Sequence, residues 1–183
     1  MRASARTFLD QTWFNGLRTI LYASGFLLFF TWIALGLRAF DRNFTFTLPR
    51  ATVGFGLALM FAGALLALSC IVTFVVRGRG TPALFDPPRQ FVAVGPYRYV
   101  RNPMYIGGFA LLLGLALYLR SVSIALMFLA ILPVCHLLVV LHEEPSLKRK
   151  FNGAYQNYLR TVARWLPHAT RAGAKTDSRQ AAR

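Results

Sequence analysis

The sequence predicts an all-α integral membrane protein with about four transmembrane helices. The last two are expected to form a helical hairpin, which is followed by a cytoplasmic, interfacial C-terminal helix. The first observation is composition, since 56% of the 183 residues are apolar and 15% are charged. Ordinary soluble domains are less apolar than this. The second is arrangement: the apolar residues fall in three long blocks, with the basic residues between them.

The first two blocks each predict one membrane-spanning helix. A helix needs about 20 mainly apolar residues to cross the ~30 Å hydrocarbon layer of a bilayer. Residues 19–37 and 52–76 meet this length, and the second of these blocks contains no charged residue. Gly54, Gly56 and Gly63 within it would permit close approach of another helix.

The third block predicts the hairpin. Residues 104–141 are about twice as long as one span requires, and the block is interrupted only at Arg120 and Ser121. We therefore predict one helix over 104–119 and a second that starts after the N-cap Ser121 and runs to about His142.

The basic residues predict the orientation in the membrane. Seventeen of the 21 lie before the first block, between the second and third, or after the third, and four lie in the other two connections. Because cytoplasmic loops are enriched in Lys and Arg, both termini are expected in the cytoplasm, with a bacterial inner membrane as the location. The net charge of +15 fits anionic lipid better than nucleic acid, since the basic residues do not gather on one polar face.

The segment after the hairpin predicts an amphipathic helix on the membrane surface. Pro145 suits the first position of a new helix, and Gly153 is expected to loosen the helix in its middle. Apolar and aromatic residues recur there at helical spacing: Leu147, Phe151, Tyr155, Tyr158 and Val162.

The two cysteines and the metal-ligating residue types give no sign of a metal site. Cys70 and Cys135 both fall inside apolar blocks and lack the spacing of metal ligands. We expect two small buried hydrophobic residues, not a disulfide or a ligand pair.

The segment 95–105 is dense in Tyr, Arg and Pro directly before a membrane helix. One interpretation is a basic, aromatic belt at the membrane interface. The other is a binding pocket, because Pro96 and Pro103 prevent the residues between them from forming a long helix. A rigid, non-helical segment rich in hydrogen-bond donors suits a pocket, and the segment alone leaves both interpretations open.

The adjacent acids Glu143 and Glu144 are the only glutamates in the chain and lie at the predicted end of the hairpin. Negative charge is disfavoured at a helix C-terminus by the helix dipole, so each carboxylate is expected to have a cationic partner. The candidates are the amine of a bound ligand and three arginines, Arg98, Arg101 and Arg164. For Glu144 we favour a structural Glu–Arg bridge. The spacing to His136 places that ring on the same helix face as Glu143.

Two blocks of sequence resemble a known family. The first is Gly95-Pro96-Tyr97-Arg98-Tyr99-Val100-Arg101 with Pro103, Tyr105 and Gly107, and the second runs from Glu143-Glu144-Pro145 to Arg164-Trp165-Leu166-Pro167. Together they resemble the isoprenylcysteine carboxyl methyltransferase family and its relatives, the phospholipid methyltransferases. The resemblance covers residues 77–167, about half of the chain. Asn102 stands where the family usually has His, and Ala163 where Pro is common.

This resemblance implies a division of the chain and a cofactor. The predicted parts are a cytoplasmic N-terminal segment (1–18), two transmembrane helices (19–76), a catalytic methyltransferase region (77–167) and a disordered basic tail (168–183). The cofactor implied is S-adenosylmethionine, bound between the cytoplasmic ends of the last helices and the C-terminal segment.

The residues implied for cofactor binding come from both blocks. One wall of the pocket would consist of Tyr97, Arg98, Arg101, Asn102, Pro103 and Tyr105, and the opposite wall of Glu143, Glu144 and Tyr158. Gly107 and Gly114 would allow close approach, and Arg164 would join Arg101 as a partner for the cofactor's carboxylate. Arg101 and Glu143 are the expected catalytic residues. These residue types suit the methionine end of the cofactor, which needs an anion for its ammonium and a cation for its carboxylate.

The acceptor is expected to be lipophilic and to arrive from the bilayer. A prenylated or other lipid carboxylate is favoured because it needs no general base. A lipid amine must lose a proton, and His142 is the local base that the sequence offers, although for His142 we favour an interfacial histidine without a catalytic role. A membrane reductase that uses NADPH and a non-catalytic scaffold or lipid-binding protein are the alternatives. The residues leave the oligomeric state open.

Overall fold

The computed structural model describes residues 17, 21–22, 24–25, 27–78 and 92–167. The predicted tail 168–183, nearly all of the segment 1–18 and the connector 79–91 lie outside the described residues. Within them the chain is helical and contains no β-strand, which confirms the predicted all-α class. One isolated parallel bridge joins Val100 to Ala163.

Five helices carry the fold over the part of the chain that the structure describes. We name them α1 (27–37 of the described residues), α2 (Thr52–Thr73), α3 (Pro103–Leu119), α4 (Val122–Leu138) and α5 (Glu144–Thr161). Short 3₁₀ segments occupy Arg38–Asn43 and Gly95–Arg98, and π-helical turns occupy Phe74–Gly78 and Val139–Glu143.

Two of these helical runs are long and apolar enough to cross a membrane, Thr52–Val76 and Val122–Thr161. The helix α3 is apolar but has only 17 residues. Of the four predicted spans, the described residues therefore contain two of full length, one shorter helix, and part of the first. Large apolar side chains such as Phe61, Leu129 and Leu141 are exposed on these helices, as expected of surfaces that face lipid.

The tip of the α3–α4 hairpin forms as predicted. Arg120 adopts the left-handed conformation (φ 55°, ψ 34°) that ends α3, and the Ser121 hydroxyl accepts a hydrogen bond from the Ile124 amide at 3.2 Å as the N-cap of α4. The Arg120 guanidinium donates to the Leu48 carbonyl at 2.7 Å and to the Thr47 hydroxyl at 2.8 Å. The tip is thereby joined to the connection between α1 and α2.

Glycines allow α2 and α3 to pack with their backbones in contact. A Cβ atom at Gly63 would lie 2.7 Å from the Gly107 carbonyl oxygen, and one at Gly56 would lie 2.7 Å from that of Gly114. The close packing expected of Gly56 and Gly63 is thus realised inside the chain. Gly107 and Gly114, predicted to allow close approach at the cofactor pocket, face α2 in this interface and are absent from the lining of the cavity described below.

The predicted break between the hairpin and the last helix is absent. The helix α4 continues through the π-turn Val139–Glu143 into α5. Pro145 lies in the first turn of α5 as expected, and its missing N–H removes one α-helical hydrogen bond at this junction. The irregularity expected near Gly153 occurs at Asn152, whose backbone is non-helical (φ 38°, ψ −118°) and kinks α5.

Candidate active site

A cavity of about 70 Å³ lies where the end of α2, the segment 92–102 and the junction of α4 and α5 meet. It is lined by Phe74, Val92, Tyr97, Arg101, Asn102, Val139, Glu143, Glu144, Leu147, Phe151, Tyr155 and Tyr158. The two sequence blocks that are distant along the chain therefore form one site. Both π-turns contribute to its wall, through Phe74 and through the residues around Glu143.

Glu144 is the centre of a buried ion-pair network. It is 7% exposed and accepts hydrogen bonds from Arg101 at 2.9 Å and from Arg164 at 2.8 and 3.1 Å. The hydrogen bond from Arg164 to Glu144 raises the pKa of that guanidinium. This network is the structural Glu–Arg bridge that we favour for Glu144. It connects α5 to the segment before α3 through Arg101 and to the segment after α5 through Arg164.

Glu143 has different surroundings although it is the adjacent residue. Its carboxylate lines the cavity and accepts a hydrogen bond from the Tyr105 hydroxyl. Within residues 27–78 and 92–167, Glu144 forms ion pairs with arginine side chains, and Glu143 forms no ion pair with Lys or Arg. Glu143 therefore presents a carboxylate to the cavity without a paired cation from the described part of the chain.

A short segment after α5 is hydrogen-bonded to the wall of the site formed by Arg101 and Asn102. We call residues 162–167 the strap. The Arg101 amide donates to the Ala163 carbonyl at 2.8 Å, and the Asn102 side-chain amide donates to the Arg164 carbonyl at 3.2 Å. Asn102 thus fixes the strap with a donor that does not titrate. The Nε atom of Arg101 is buried and has no hydrogen-bond partner among the described residues.

Tyrosines form much of the remaining wall. The Tyr158 hydroxyl donates to the Tyr97 carbonyl at 2.5 Å, which connects α5 to the segment before α3. The Tyr97 ring packs edge-on against Phe74 with centroids 5.0 Å apart. Burial, with Cys70 as neighbour, raises the pKa of the Tyr97 hydroxyl well above its usual value, so this residue stays neutral in the apolar wall.

The structure brings most, but not all, of the predicted site residues together. Six of them line the cavity: Tyr97, Arg101, Asn102, Glu143, Glu144 and Tyr158. Three more are bonded or adjacent to these: Pro103, Tyr105 and Arg164. Arg98 does not line the cavity: its side chain is exposed, and its guanidinium lies 5.4 Å from the centroid of the exposed Tyr99 ring. Within the 3₁₀ turn Gly95–Arg98, the side chain of Tyr97 is buried and that of Arg98 faces outward.

Sequence reasoning missed part of the wall. Phe74, Val92 and Val139 line the cavity but lie outside both sequence blocks, and nothing in an apolar run distinguishes them. Leu147, Phe151 and Tyr155 could have been found, because their helical spacing with Tyr158 defines the inner face of α5. His136 does not share the cavity with Glu143; its Nδ1 atom accepts a hydrogen bond from Trp165 at 3.1 Å. The intervening π-turn has more residues per turn than an α-helix, so the helical spacing is not kept.

The donor set suits one end of S-adenosylmethionine. Glu143 offers an anion for the ammonium, while Arg101 and Asn102 offer donors for the carboxylate. The buried Nε atom of Arg101 is a donor that still lacks an acceptor within the described residues. Pockets for whole drug-sized ligands measure about 300–1,000 Å³, so the cavity of about 70 Å³ matches the amino-acid end alone.

Comparison with known proteins gives one result for the family and none for individual relatives. Neither the curated proteins nor the solved structures contain a significant match. The family model for phospholipid methyltransferases matches residues 51–154, which is more than half of the 183 residues. This range includes α2, the whole hairpin and the pair Glu143-Glu144. The chain therefore belongs to the phospholipid methyltransferase family, a family of membrane methyltransferases.

Proposed function

We propose that the chain binds S-adenosylmethionine in this cavity and transfers its methyl group to a lipid acceptor at the cytoplasmic face of the membrane. The observation that carries the proposal is the state of Glu143, which lines the cavity without a paired Lys or Arg in the described residues. A carboxylate in such surroundings is stabilised by a cationic group of a ligand. The family supplies the class of reaction.

Each part of the site has a task in this proposal. Glu143, oriented by the Tyr105 hydroxyl, holds the cofactor's ammonium, and Arg101 with Asn102 holds its carboxylate. Tyr97, Tyr155 and Tyr158 exclude water and fix the geometry, so that positioning provides most of the rate. When bound in this way, S-adenosylmethionine would supply an electrophilic methyl group on its sulfonium, with the thioether as the leaving group for a nucleophilic acceptor.

The charges around the cavity favour an amine acceptor over a carboxylate. Among the described residues that line the cavity, Arg101 is the one Lys or Arg, and in this proposal it holds the cofactor's carboxylate while Glu143 holds the cofactor's ammonium. An acceptor carboxylate would then meet the Glu143 and Glu144 carboxylates without a further Lys or Arg in the lining. We therefore place a lipid amine ahead of the prenylated or other carboxylate that the resemblance favours. The proton that the amine must lose passes to water or to His142, which is exposed next to Glu143.

The cofactor assignment is tested with Glu143→Gln in protein reconstituted in lipid nanodiscs. Calorimetry is expected to show binding of S-adenosylmethionine to the unaltered chain and about tenfold or greater weakening in the variant, because a charge-assisted hydrogen bond is lost. Tyr105→Phe should weaken binding less, since it only disorients Glu143. Tyr99→Phe is the matched control, because Tyr99 is 61% exposed and should leave the Kd unchanged.

Equal affinity in the unaltered chain and in Glu143→Gln would refute the assignment. NADPH in the same calorimeter tests the reductase alternative, which family membership does not favour; we expect no heat of binding.

The acceptor is identified by mass spectrometry of lipids from cells with and without the protein. We expect amine phospholipids that carry one or more additional methyl groups only when the protein is present. A methyl ester of a lipid or prenylated carboxylate in their place would overturn the preference for an amine. Absence of any methylated product would favour a non-catalytic scaffold.

A further inference from the structure

The two arms of the hairpin are in direct contact near its tip and are bridged by an aromatic side chain near the cavity. At the tip, Ala116 of α3 and Ile124 of α4 are fully buried in one apolar cluster. At the other end, the strap residue Trp165 lies between the arms. Its ring centroid is 6.1 Å from that of Tyr105, 5.9 Å from Phe109 on α3, and 6.1 Å from His136 on α4.

The opposite side of α3 offers no comparable gap. There, Gly107 and Gly63 place the backbones of α3 and α2 in contact, and a single added Cβ atom would collide. A lipid head group that approaches α3 from the bilayer thus meets a sealed helix pair on one side. On the other side it meets Trp165.

The ring of Tyr105 lies between Trp165 and the proposed reaction site. Tyr105 contacts the Trp165 ring on one side and donates its hydroxyl to Glu143 on the other. The neighbouring strap residue Leu166 is 77% exposed, and the apolar residues Val134 and Leu137, which are close to His136 in sequence, are exposed on α4. The indole therefore stands between the apolar exterior and the Glu143 carboxylate.

The attachment of the indole is weaker than that of the strap backbone. The backbone is fixed to the cavity side through the Ala163 and Arg164 carbonyls, and the Arg164 side chain is paired with Glu144. The indole itself has one polar attachment, the hydrogen bond from Nε1 to His136 at an exposed position of α4. A side-chain rotation of Trp165 breaks one exposed hydrogen bond and leaves the strap in place.

We propose that Trp165 is the gate through which the lipid acceptor reaches the site from the bilayer, and that it sets the size of head group admitted. The proposal rests on the proposed methyl transfer. The occupant of the open gate is a phospholipid with an amine head group, because the one Lys or Arg in the described lining of the cavity, Arg101, is assigned to the cofactor's carboxylate and leaves none for an acceptor carboxylate. His136 is a positioning residue, which holds the indole in the closed position.

The first test compares Trp165→Ala with the control Trp32→Ala, which removes an indole that is 73% exposed on α1. Two acceptors are used in nanodiscs, phosphatidylethanolamine and its N,N-dimethyl derivative. Relative to the unaltered chain, Trp165→Ala is expected to raise kcat/KM for the bulkier acceptor about tenfold over the smaller one, the range that one small apolar group controls in a pocket. The Kd for S-adenosylmethionine should stay within about twofold, since the indole is not part of the cavity wall.

Two further variants keep the test decisive if Trp165→Ala folds poorly. Trp165→Phe retains a ring but cannot donate to His136, and His136→Leu removes the acceptor of that hydrogen bond. Both should shift acceptor preference in the same direction as Trp165→Ala, and by less. Equal loss with both acceptors, together with weaker cofactor binding, would show that Trp165 merely supports the cofactor site and would overturn the proposal.

A fluorescence measurement separates failure of the gate from failure of the proposed function. In Trp13→Phe/Trp32→Phe protein, Trp165 is the remaining tryptophan of the three in the sequence. Lipids whose acyl chains are brominated close to the head group should quench the fluorescence of Trp165 more strongly than iodide in the aqueous phase does. Stronger quenching by iodide would place Trp165 in water and refute the gate whatever the activity. Quenching by lipid in a protein that transfers no methyl group would refute the proposed function and leave the bilayer-facing position of Trp165 intact.

Discussion

At the scale of single residues, the pair Glu143-Glu144 shows how adjacent identical side chains acquire different tasks. Glu144 is paired with Arg101, which precedes α3, and with Arg164, which follows α5. The two positive charges offset the free-energy cost of burying its carboxylate. Glu143 points to a tyrosine hydroxyl, which stabilises a carboxylate through one hydrogen bond but does not neutralise it. The first arrangement holds segments together, and the second leaves a charge for a ligand.

This difference predicts that the same substitution lowers the melting temperature more at Glu144 than at Glu143. Glu144→Gln leaves Arg101 and Arg164 without their shared anion, and removal of one partner from a hydrogen-bonded buried pair typically costs a few kcal/mol. Because Arg164 is 30% exposed, solvent offsets part of this, and we expect the melting temperature in detergent to fall by about 5 °C. Glu143→Gln is the matched control and should lower it by less than about 2 °C. Equal melting temperatures for the two variants would contradict the assignment of the structural role to Glu144.

The sequence was informative about these residues to the extent that their chemistry is local. The scarcity of glutamate and the cost of negative charge at a helix end were sufficient to predict a bridge at Glu144. The sequence could not predict that Arg98 points away while Arg101 reaches Glu144, because that depends on a 3₁₀ turn that orients each side chain. Gly107 and Gly114 illustrate the same limit, since a small residue permits close approach by a helix and by a ligand equally well.

At the scale of elements, glycines on facing helices determine how α2 and α3 pack. Gly56 and Gly63 are seven residues apart, as are Gly107 and Gly114, so each pair lies on one face of its helix. Gly56 meets Gly114 and Gly63 meets Gly107, which is the antiparallel order. This interface positions Phe74 at the end of α2 against Tyr97 in the cavity wall.

The interface predicts a contrast between two glycines of the same helix. Gly63→Ala places a methyl group 2.7 Å from a backbone oxygen of α3, and such overpacking typically costs about 1–3 kcal/mol. Gly54→Ala has open space around the new atom and should be neutral or slightly stabilising, because Ala favours helix over Gly by up to about 1 kcal/mol. Thermal unfolding of both variants measures the contrast. A Gly63→Ala protein as stable as Gly54→Ala would show that α2 and α3 do not pack this closely.

Element boundaries were predictable where local signals exist and not where tertiary contacts decide. The hairpin tip follows from Arg120 and Ser121, whose turn and cap are local. The π-turns at Phe74–Gly78 and Val139–Glu143 have no comparable sequence signal, although they shape the cavity wall. A π-turn has more residues per turn than an α-helix, so it changes which residues share a helix face. His136 and Glu143 therefore have different partners.

At the scale of the whole molecule, polar groups gather at two ends separated by apolar helices. At one end, Arg120 binds the connection between α1 and α2, and Asp41 accepts a hydrogen bond from the Ser123 amide at 2.8 Å. At the other end are the cavity, the strap and the basic residues of α5. Since cytoplasmic segments carry most Lys and Arg, we infer that the cavity end faces the cytoplasm and the Arg120 end faces the opposite compartment.

This orientation predicts which exposed positions react with a membrane-impermeant maleimide. In protein with Cys70 and Cys135 replaced by Ala, Phe46→Cys introduces a thiol at a residue that is 60% exposed beside Arg120, and Gln156→Cys introduces one on the exposed side of α5. In intact bacterial spheroplasts we expect labelling of the thiol at position 46 and none at position 156 until the membrane is permeabilised. The reverse pattern would invert the topology and place the Glu143 cavity outside the cytoplasm, where S-adenosylmethionine made in the cell does not reach it. Labelling of both thiols in intact spheroplasts would place positions 46 and 156 on the same side of the membrane. The three helices between them would then not all cross the bilayer, and a route for lipid past Trp165 would no longer be expected.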